Sequence, residues 1–258
     1  MRARLEPKSV DVIVTSPPYN IGVKYNQYDD SISRDDYLQW LHEWAQICTE
    51  ILSDEGSLFL NIGSKPSDPW VPFEVATVMR DVFQLQNVIH WIKSIYIEND
   101  SYGDKTSLSV GHYKPINSKR YVNDTHEYIF HFTKTGRVEL DRLAIGVPYK
   151  DKSNVSRWQG AKADKRCRGN TWYIPYKTIQ NRNTERPHPA SFPPELVANC
   201  IRLHGLEKSA LVLDPFMGIG NTALACIDLK IDCVGFELDK EYFDQACQQA
   251  MTRITLFD

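Results

Sequence analysis

The stretch Val10-Asp-Val-Ile-Val-Thr-Ser-Pro-Pro-Tyr19 decides the fold of this chain. Its first five residues are mostly apolar and β-branched, and the run has the length of a buried strand. Pro17 and Pro18 end that strand, because each fixes φ, removes an N–H donor and favours an extended residue before it. The loop carbonyls are therefore expected to point outward at the carboxyl end of the strand, where open α/β sheets bind ligands.

The loop Ser16–Tyr19 combines rigid carbonyl acceptors with a hydroxyl and an aromatic ring. Acceptors beside an aromatic face suit a planar ring that carries an exocyclic amine, such as cytosine or adenine. The alternative is that two prolines after a strand mark only a loop. A second stretch near the other end of the chain favours the functional interpretation.

That second stretch is Leu211–Thr222, which predicts a buried strand, a glycine-rich turn and a following helix. Its glycines allow the backbone to approach a ligand closely at the amino end of the helix. Residues 232–237 predict another strand, which ends in the carboxylate of Glu237, 23 residues after Asp214. This spacing is typical of an acid that binds the ribose of a nucleotide cofactor.

Together, Ser16-Pro-Pro-Tyr19 and the later Asp214-Pro-Phe-Met-Gly-Ile-Gly220 resemble the motifs of the amino-methyltransferases of DNA. Their order along the chain resembles the beta class of that family. The segment His188-Pro-Ala-Ser-Phe-Pro193 is similar to the family's segment beside the methionine end of the cofactor. The resemblance implies a doubly wound, mostly parallel α/β sheet with an antiparallel edge hairpin and an inserted DNA-recognition region.

The resemblance also implies roles for individual residues. The Ser16 side chain and the Pro17 carbonyl would accept hydrogen bonds from the target amine, beside Pro18, and Tyr19 would stack on a base rotated out of the duplex. The cofactor would be S-adenosylmethionine. Its predicted contacts are His188, Pro189, Ala190, Ser191, Phe192, Asp214, Phe216, Gly218, Gly220, Asn221, Thr222 and Glu237.

The target base depends on the first residue of the loop. In the family, serine favours cytosine N4 and aspartate favours adenine N6, so Ser16 favours cytosine, with adenine as the alternative. Methylation at cytosine C5 needs a thiolate nucleophile, and no Pro-Cys step is present. An RNA or protein methyltransferase and a non-catalytic DNA-binding protein also remain open.

The predicted organisation is a catalytic half at 1–133, a target-recognition region at 134–183 and a cofactor-binding half at 184–258. Residues 114–186 contain eight Lys and eight Arg against four Asp and three Glu, whereas the whole chain has a net charge of −3. This asymmetry indicates one basic face on an acidic body, which suits a DNA backbone. The predicted DNA contacts are Arg157, Lys162, Lys165, Arg166 and Arg168.

Further elements follow from the sequence. Helices are expected at 34–52, with Ser33 as N-cap, and at 72–83, 194–204, 221–229 and 240–253. Strands are expected at 57–63, 88–93 and 128–133. Residues 21–33 read equally as a mobile flap and as a surface loop. By the resemblance, a strand that contacts the cofactor adenine is expected upstream, but only nine residues precede Val10.

Composition narrows the remaining classes. The 258 residues are 42% hydrophobic, which suits a globular chain, and no apolar run approaches the ~20 residues that span a bilayer. The six cysteines show no paired or metal-ligand spacing, so a cytoplasmic protein with reduced thiols and no metal is expected. The expected partner is double-stranded DNA. A cognate restriction endonuclease and the choice between monomer and homodimer stay open.

Overall fold

The computed structural model describes residues 1–97, 107–111, 116–157, 164–175 and 191–256. A seven-stranded sheet runs through the molecule in the order β7-β3-β6-β2-β1-β8-β9, beside a separate two-stranded sheet. The strands of the large sheet are β1 (Val10–Thr15), β2 (Leu52–Ile62), β3 (Gln84–Ile92), β6 (His126–Thr133), β7 (Thr171–Tyr173), β8 (Leu211–Asp214) and β9 (Asp232–Gly235). The small sheet pairs β4 (Ser94–Ile97) with β5 (Leu108–Gly111).

Six α-helices are found in the described residues. They are α1 (Arg34–Ile51), α2 (Val71–Met79), the short α3 (Ser153–Arg157), α4 (Pro194–His204), α5 (Asn221–Leu229) and α6 (Lys240–Ile254). The predicted helices at 194–204 and 221–229 agree with α4 and α5. Predicted residues 80–83 lie beyond α2, as turns in which the Val82 and Phe83 amides both donate to the Met79 carbonyl.

Strand direction decides which ends of the strands meet. The β2, β1, β8 and β9 neighbours pair in parallel, whereas β6 runs antiparallel to both β2 and β3. The fold class predicted from the sequence is confirmed. The β3–β6 hairpin lies one place inside the sheet edge, because β7 pairs in parallel with the outer side of β3.

Both faces of the sheet are covered, as alternation along β1 requires. Ile13 points into a core with α1 and α2, and Val12 and Val14 point into a second core with α4 and α5. The α1 helix begins at the predicted cap, since the Ser33 hydroxyl accepts from the Asp36 amide. A doubly wound sheet of this kind leaves the carboxyl ends of its parallel strands open for a site.

Two parts of the sequence behave differently from the expectation. The register of β1 on β2 jumps from Val10–Leu52 to Val12–Ser57, so β2 begins before the predicted strand at 57–63 and is irregular between these two pairs. Inside the predicted recognition region 134–183, β7 joins the main sheet, and Trp172 is buried there. Trp172 therefore serves the core.

Candidate active site

A cavity of about 480 Å³ opens at the carboxyl ends of β1, β8 and β9. It brings together the Ser16–Tyr19 loop and the Asp214–Thr222 turn, which lie about 200 positions apart in the sequence. Its lining consists of Ser16, Pro18, Tyr19, residues 25–28, Trp40, Ser191, Phe192, residues 215–219, Asn221, residues 236–239 and Tyr242. The two stretches that the sequence singled out thus share one site.

Glu237 lies at the end of β9 on the wall of this cavity. Its Oε2 accepts the Gly218 amide at 2.7 Å, and its Oε1 accepts the Asp239 amide at 2.8 Å. These two bonds fix the carboxylate between the glycine turn and the start of α6. Each oxygen keeps a second lone-pair position, so the group can still accept from a bound diol.

Asp214 lies behind the cavity wall and joins the two halves of the site. Its buried carboxyl accepts from the Thr15 hydroxyl at 2.7 Å, the Thr222 hydroxyl at 2.6 Å and the Phe216 amide at 3.0 Å. Burial raises the pKa of Asp214 to about 6, although these hydrogen bonds act in the opposite direction. Asp214 therefore ties the end of β1, next to Ser16, to the glycine turn.

The turn after β8 approaches α6 closely. Gly220 has a φ of +92°, and a Cβ on it would lie 2.9 Å from the Cβ of Ala246. A side chain would therefore meet both an unfavourable backbone conformation and a helix. Gly220 and Thr222 support the wall, whereas Phe216, Gly218 and Asn221 line the cavity.

The His188–Phe192 segment is described only in part, since His188, Pro189 and Ala190 lie outside the described residues. Ser191 and Phe192 both line the cavity. The Asn221 side chain donates to the Phe192 carbonyl at 2.7 Å and connects this segment to the start of α5. The two described members of the predicted segment thus lie on the cavity wall, and their contact with a cofactor stays a prediction.

On the catalytic side, Ser16 and Tyr19 belong to a hydrogen-bonded group. The Ser16 Oγ lies 2.7 Å from the Tyr19 hydroxyl, which donates to Glu127 Oε2 at 3.0 Å. Asn61 Nδ2 donates to the Tyr19 oxygen and to Glu127 Oε2, both at 2.7 Å. Lys93 Nζ contacts Glu127 Oε1 at 2.8 Å. We call these five residues the open network, because Ser16 and Tyr19 line the cavity.

The carbonyls of the two prolines differ in their surroundings. The Pro18 carbonyl accepts the Tyr37 hydroxyl at 2.8 Å, so α1 holds the loop from below. Pro17 is buried and is not among the lining residues. The role predicted for its carbonyl stays a prediction.

The segment after the loop is organised around Asp30. This buried carboxylate accepts the backbone amides of Asn20, Ile21 and Val23 at 2.8, 3.1 and 2.9 Å. Burial raises its pKa, and the amide hydrogen bonds oppose that rise. Residues 25–28 of the same segment line the cavity, so the stretch 21–33 forms part of its wall in this structure.

The predicted DNA contacts lie between the Ser16–Tyr19 loop and the Asp214–Thr222 turn in the sequence. Arg157, Lys165 and Arg166 are exposed, and Arg166 pairs through its backbone with Val147. The Arg168 side chain donates to the Ile145 carbonyl at 3.0 Å and so also stabilises its own segment. Lys162 lies outside the described residues.

Comparison with known proteins identifies the family. A family model described as DNA methylase matches residues 10–248. The chain belongs to this DNA methylase family. It is 28% identical over 257 residues to the Type II methyltransferase M.HpaI of Haemophilus parainfluenzae, covering 98% of this chain and 72% of that protein.

Solved structures agree on the fold of this DNA methylase. The PvuII DNA methyltransferase, named as cytosine-N4-specific, has a TM-score of 0.67 at 18% identity, covering 98% of this chain and 87% of that one. TTHA0409 of Thermus thermophilus, a DNA modification methylase solved in complex with S-adenosyl-L-methionine, has a TM-score of 0.60 at 20% identity, covering 98% and 89%. The predictions of family, fold and enzyme class are confirmed.

Sequence reasoning missed Lys93 and Glu127 of this DNA methylase. Because β6 is antiparallel, its first residues lie at the same edge of the sheet as the carboxyl ends of β2 and β3. Glu127 near the start of β6 and Lys93 after β3 therefore meet Asn61 beneath the catalytic loop. The sequence does show these two charged residues beside apolar strands. Their meeting could not be predicted without knowing that β6 is antiparallel.

Two further properties complete the description of the site. Within the residues that the structure describes, no group of three or more His, Cys, Asp or Glu could hold a metal ion. Across those same ranges, none of the helices is both long enough and apolar enough to cross a membrane.

Proposed function

We propose that this DNA methylase transfers a methyl group to the exocyclic N4 amine of cytosine in duplex DNA. The observation that carries the proposal is the shared cavity, in which Ser16 and Tyr19 face the same space as Glu237 and the glycine turn. A base bound at the first loop would lie next to a cofactor bound at the second. Effective positioning of two reactants is a large part of catalysis in such transfers.

The cofactor of the family is S-adenosylmethionine, as the sequence predicted, and it supplies an electrophilic methyl group on a sulfonium. The cavity fits it chemically. Glu237 retains acceptor positions for the two ribose hydroxyls, and Phe236 and Leu238 offer apolar surface beside it. The α5 helix has Gly220 as its N-cap residue and therefore no side-chain cap, so its first amides can face a carboxylate.

The residues of the catalytic loop have a different task. The amine lone pair is delocalised into the base, and acceptors at its N–H bonds favour the charge that develops as nitrogen attacks. The Ser16 oxygen and the Pro17 carbonyl would be those acceptors. Tyr19 would contact the extruded base, with its hydroxyl held in the open network.

Cytosine is preferred over adenine because the loop begins with serine. The alternative is N6 methylation of adenine, since both bases present an amine beside a ring nitrogen and both suit the same acceptors. A non-catalytic DNA-binding protein would not need a cavity that joins Ser16 to Glu237. Arg157, Lys165, Arg166 and Arg168 are proposed to contact the DNA backbone, which their charge and partial exposure support.

Two narrower predictions accompany this proposal, and one question stays open. A cognate restriction endonuclease is proposed from the relationship to Type II methyltransferases. The choice between monomer and homodimer stays open. A cytoplasmic location is proposed from the free cysteines, which form no disulfide among themselves.

The proposal is tested by incubating the protein with duplex DNA and S-adenosylmethionine and analysing the product nucleosides by mass spectrometry. N4-methylcytosine is the expected product, and N6-methyladenine would overturn the choice of base while leaving the reaction type. A protein that methylates RNA but no DNA would contradict the substrate.

The cofactor site is tested separately by calorimetry. Glu237→Ala should weaken S-adenosylmethionine binding by about 1–3 kcal/mol, because the ribose hydroxyls lose their acceptor. Glu207→Ala, which changes a glutamate outside the cavity, is the matched control and should bind normally. Equal affinity in both variants would contradict the assignment of Glu237.

A further inference from the structure

The contacts beneath the catalytic loop form a directed chain from the cavity to a salt bridge. Ser16 contacts Tyr19, Tyr19 contacts Glu127, and Glu127 contacts Lys93, with distances of 2.7, 3.0 and 2.8 Å. The side chains of Lys93 and Glu127 are only 17% and 13% exposed. The catalytic serine is thus connected to a mostly buried ion pair.

The carboxylate of Glu127 fixes the direction of every bond in that chain. A carboxylate can only accept, so the single hydroxyl hydrogen of Tyr19 must point to Glu127. The contact between Ser16 and Tyr19 then needs the Ser16 hydrogen, which must point towards the Tyr19 oxygen. Ser16 is left with its lone pairs as its remaining hydrogen-bonding groups, and Asn61 Nδ2 approaches one of them at the long distance of 3.5 Å.

We propose that Glu127, held by Lys93, is a positioning residue that makes Ser16 an obligatory hydrogen-bond acceptor for the target amine. The inference rests on the proposed function, because it deepens the role of Ser16 in amine methylation. A serine hydroxyl can otherwise rotate and act as donor or acceptor. A fixed acceptor needs no reorganisation when the amine becomes more acidic in the transition state.

Asn61 supports the same direction at a cost in stability. Its Nδ2 donates to both the Tyr19 oxygen and Glu127, which places its Oδ1 on the other side of the amide. That Oδ1 is buried and has no hydrogen-bond partner among the described residues. Because an unpaired buried acceptor is unfavourable, this orientation indicates that the donors on the Tyr19 side are needed.

The ion pair points to function as well. A mostly buried ion pair is weak support for stability, and removing its water is expensive. Burial raises the pKa of Glu127, but Lys93 and the hydrogen bonds from Lys93, Asn61 and Tyr19 outweigh that effect and hold it below its ordinary value. Glu127 is therefore a carboxylate at neutral pH, as the chain of bonds requires.

Glu127→Gln is the variant that reverses the chain while keeping its shape. Lys93 would attract the amide oxygen and leave the amide nitrogen facing Tyr19, as a donor. The Tyr19 hydrogen would then turn to Ser16 and occupy one of its lone pairs. Single-turnover methylation should slow about 10- to 100-fold, at or below the lower end of the ~10²–10³ loss that follows removal of one preorganised hydrogen-bonding group. Calorimetric affinity for S-adenosylmethionine should change by less than about twofold.

A double-mutant cycle distinguishes this role from a general structural one. Since Glu127 acts through Ser16, Ser16→Ala/Glu127→Gln should be no slower than Ser16→Ala alone. Glu50→Gln, at the exposed Arg2–Glu50 pair, is the matched control and should keep full rate. If Glu127→Gln does not fold, Tyr19→Phe in the same cycle interrupts the chain while keeping the ring.

The outcomes separate the two proposals. Losses that multiply in the double variant, or a normal rate in Glu127→Gln and Tyr19→Phe, would overturn the positioning role. A wild-type protein that methylates no DNA amine would instead overturn the proposed function. Coupled losses with unchanged cofactor affinity are the result that supports the inference.

Discussion

Two polar networks occupy the same face of β2 and β6, and they differ in what covers them. The open network uses Asn61 and Glu127 at the cavity edge. The second, which we call the closed network, joins Ser57, His131 and His204, with Ser57 Oγ 2.9 Å from a nitrogen of each ring. Phe59 and Ile129 separate the two networks along the strands.

The difference shows that position along the strand decides the use of a polar residue. Ser57 and His131 are completely buried, and α4 covers them through His204. Asn61 is also buried, but its neighbours reach a cavity at the carboxyl end of β1. Polar residues on one face of the strand pair therefore stabilise the core at one end and lie beside the cavity at the other.

The largest expected difference between the two ends of the strand pair is in how folding stability changes with pH. Burial and the nearby His204 lower the pKa of His131 from 6.5 to about 3. Between these values His131 is protonated in the unfolded chain but neutral in the folded one. Folding stability is therefore lost as pH falls from about 6.5 towards 3. Asp214, beside the cavity, has the opposite sign. Its pKa is raised from 3.8 to about 6, so its contribution is present below 3.8 and is lost as pH rises through 6.

Denaturant titrations at pH 7, 5 and 4 measure these opposing slopes. His131→Phe should make the loss of unfolding free energy on acidification shallower, because the titrating ring of the closed network is gone. Asp214→Asn should make it steeper, because a gain on acidification is removed. Parallel curves for both variants and the wild type would contradict the assigned pKa shifts.

Serine-to-alanine substitution should lower the methylation rate in the open network and the folding stability in the closed network. Ser16→Ala removes an acceptor from the target amine, so single-turnover methylation should fall ~10²-fold with binding of DNA and cofactor near normal. Ser57→Ala leaves two buried rings without their shared partner, so the unfolding free energy should fall by about 1–3 kcal/mol. Its folded fraction should methylate normally. A loss of rate in Ser57→Ala at full folding would remove the distinction between the networks.

Many helix and strand boundaries could be predicted from the sequence, because they depend on local patterns. The apolar run at Val10, the cap at Ser33 and the expected helix end at residue 204 each agree with an element boundary in the structure. The two loops of the cavity were also readable, since each follows a strand and contains residues with special backbone geometry. These signals are short in range and need no knowledge of the sheet order.

The open network was not readable for the opposite reason. Glu127 meets Tyr19 across 108 positions, and only the antiparallel direction of β6 brings it there. The Tyr–Asn–Glu contacts also depend on which face of each strand is used, and a register change of one residue would reverse that. Similarly, the burial of Trp172, inside the predicted recognition region, depends on the pairing of β7 with β3.

The smallest expected effect lies outside both networks, at the exposed Lys165 and Arg166. If both contact phosphates, Lys165→Gln/Arg166→Gln should weaken DNA binding and lower the slope of its salt dependence by about two. The rate at saturating DNA and the unfolding free energy should not change, because neither network includes these residues. Fluorescence anisotropy with labelled duplex at several salt concentrations measures the slope.

Lys8→Gln, at an exposed lysine paired with Asp54, is the control for loss of a surface charge. An unchanged slope would mean that Lys165 and Arg166 face solvent and do not contact phosphates. A slower rate at saturating DNA would mean that they influence the open network.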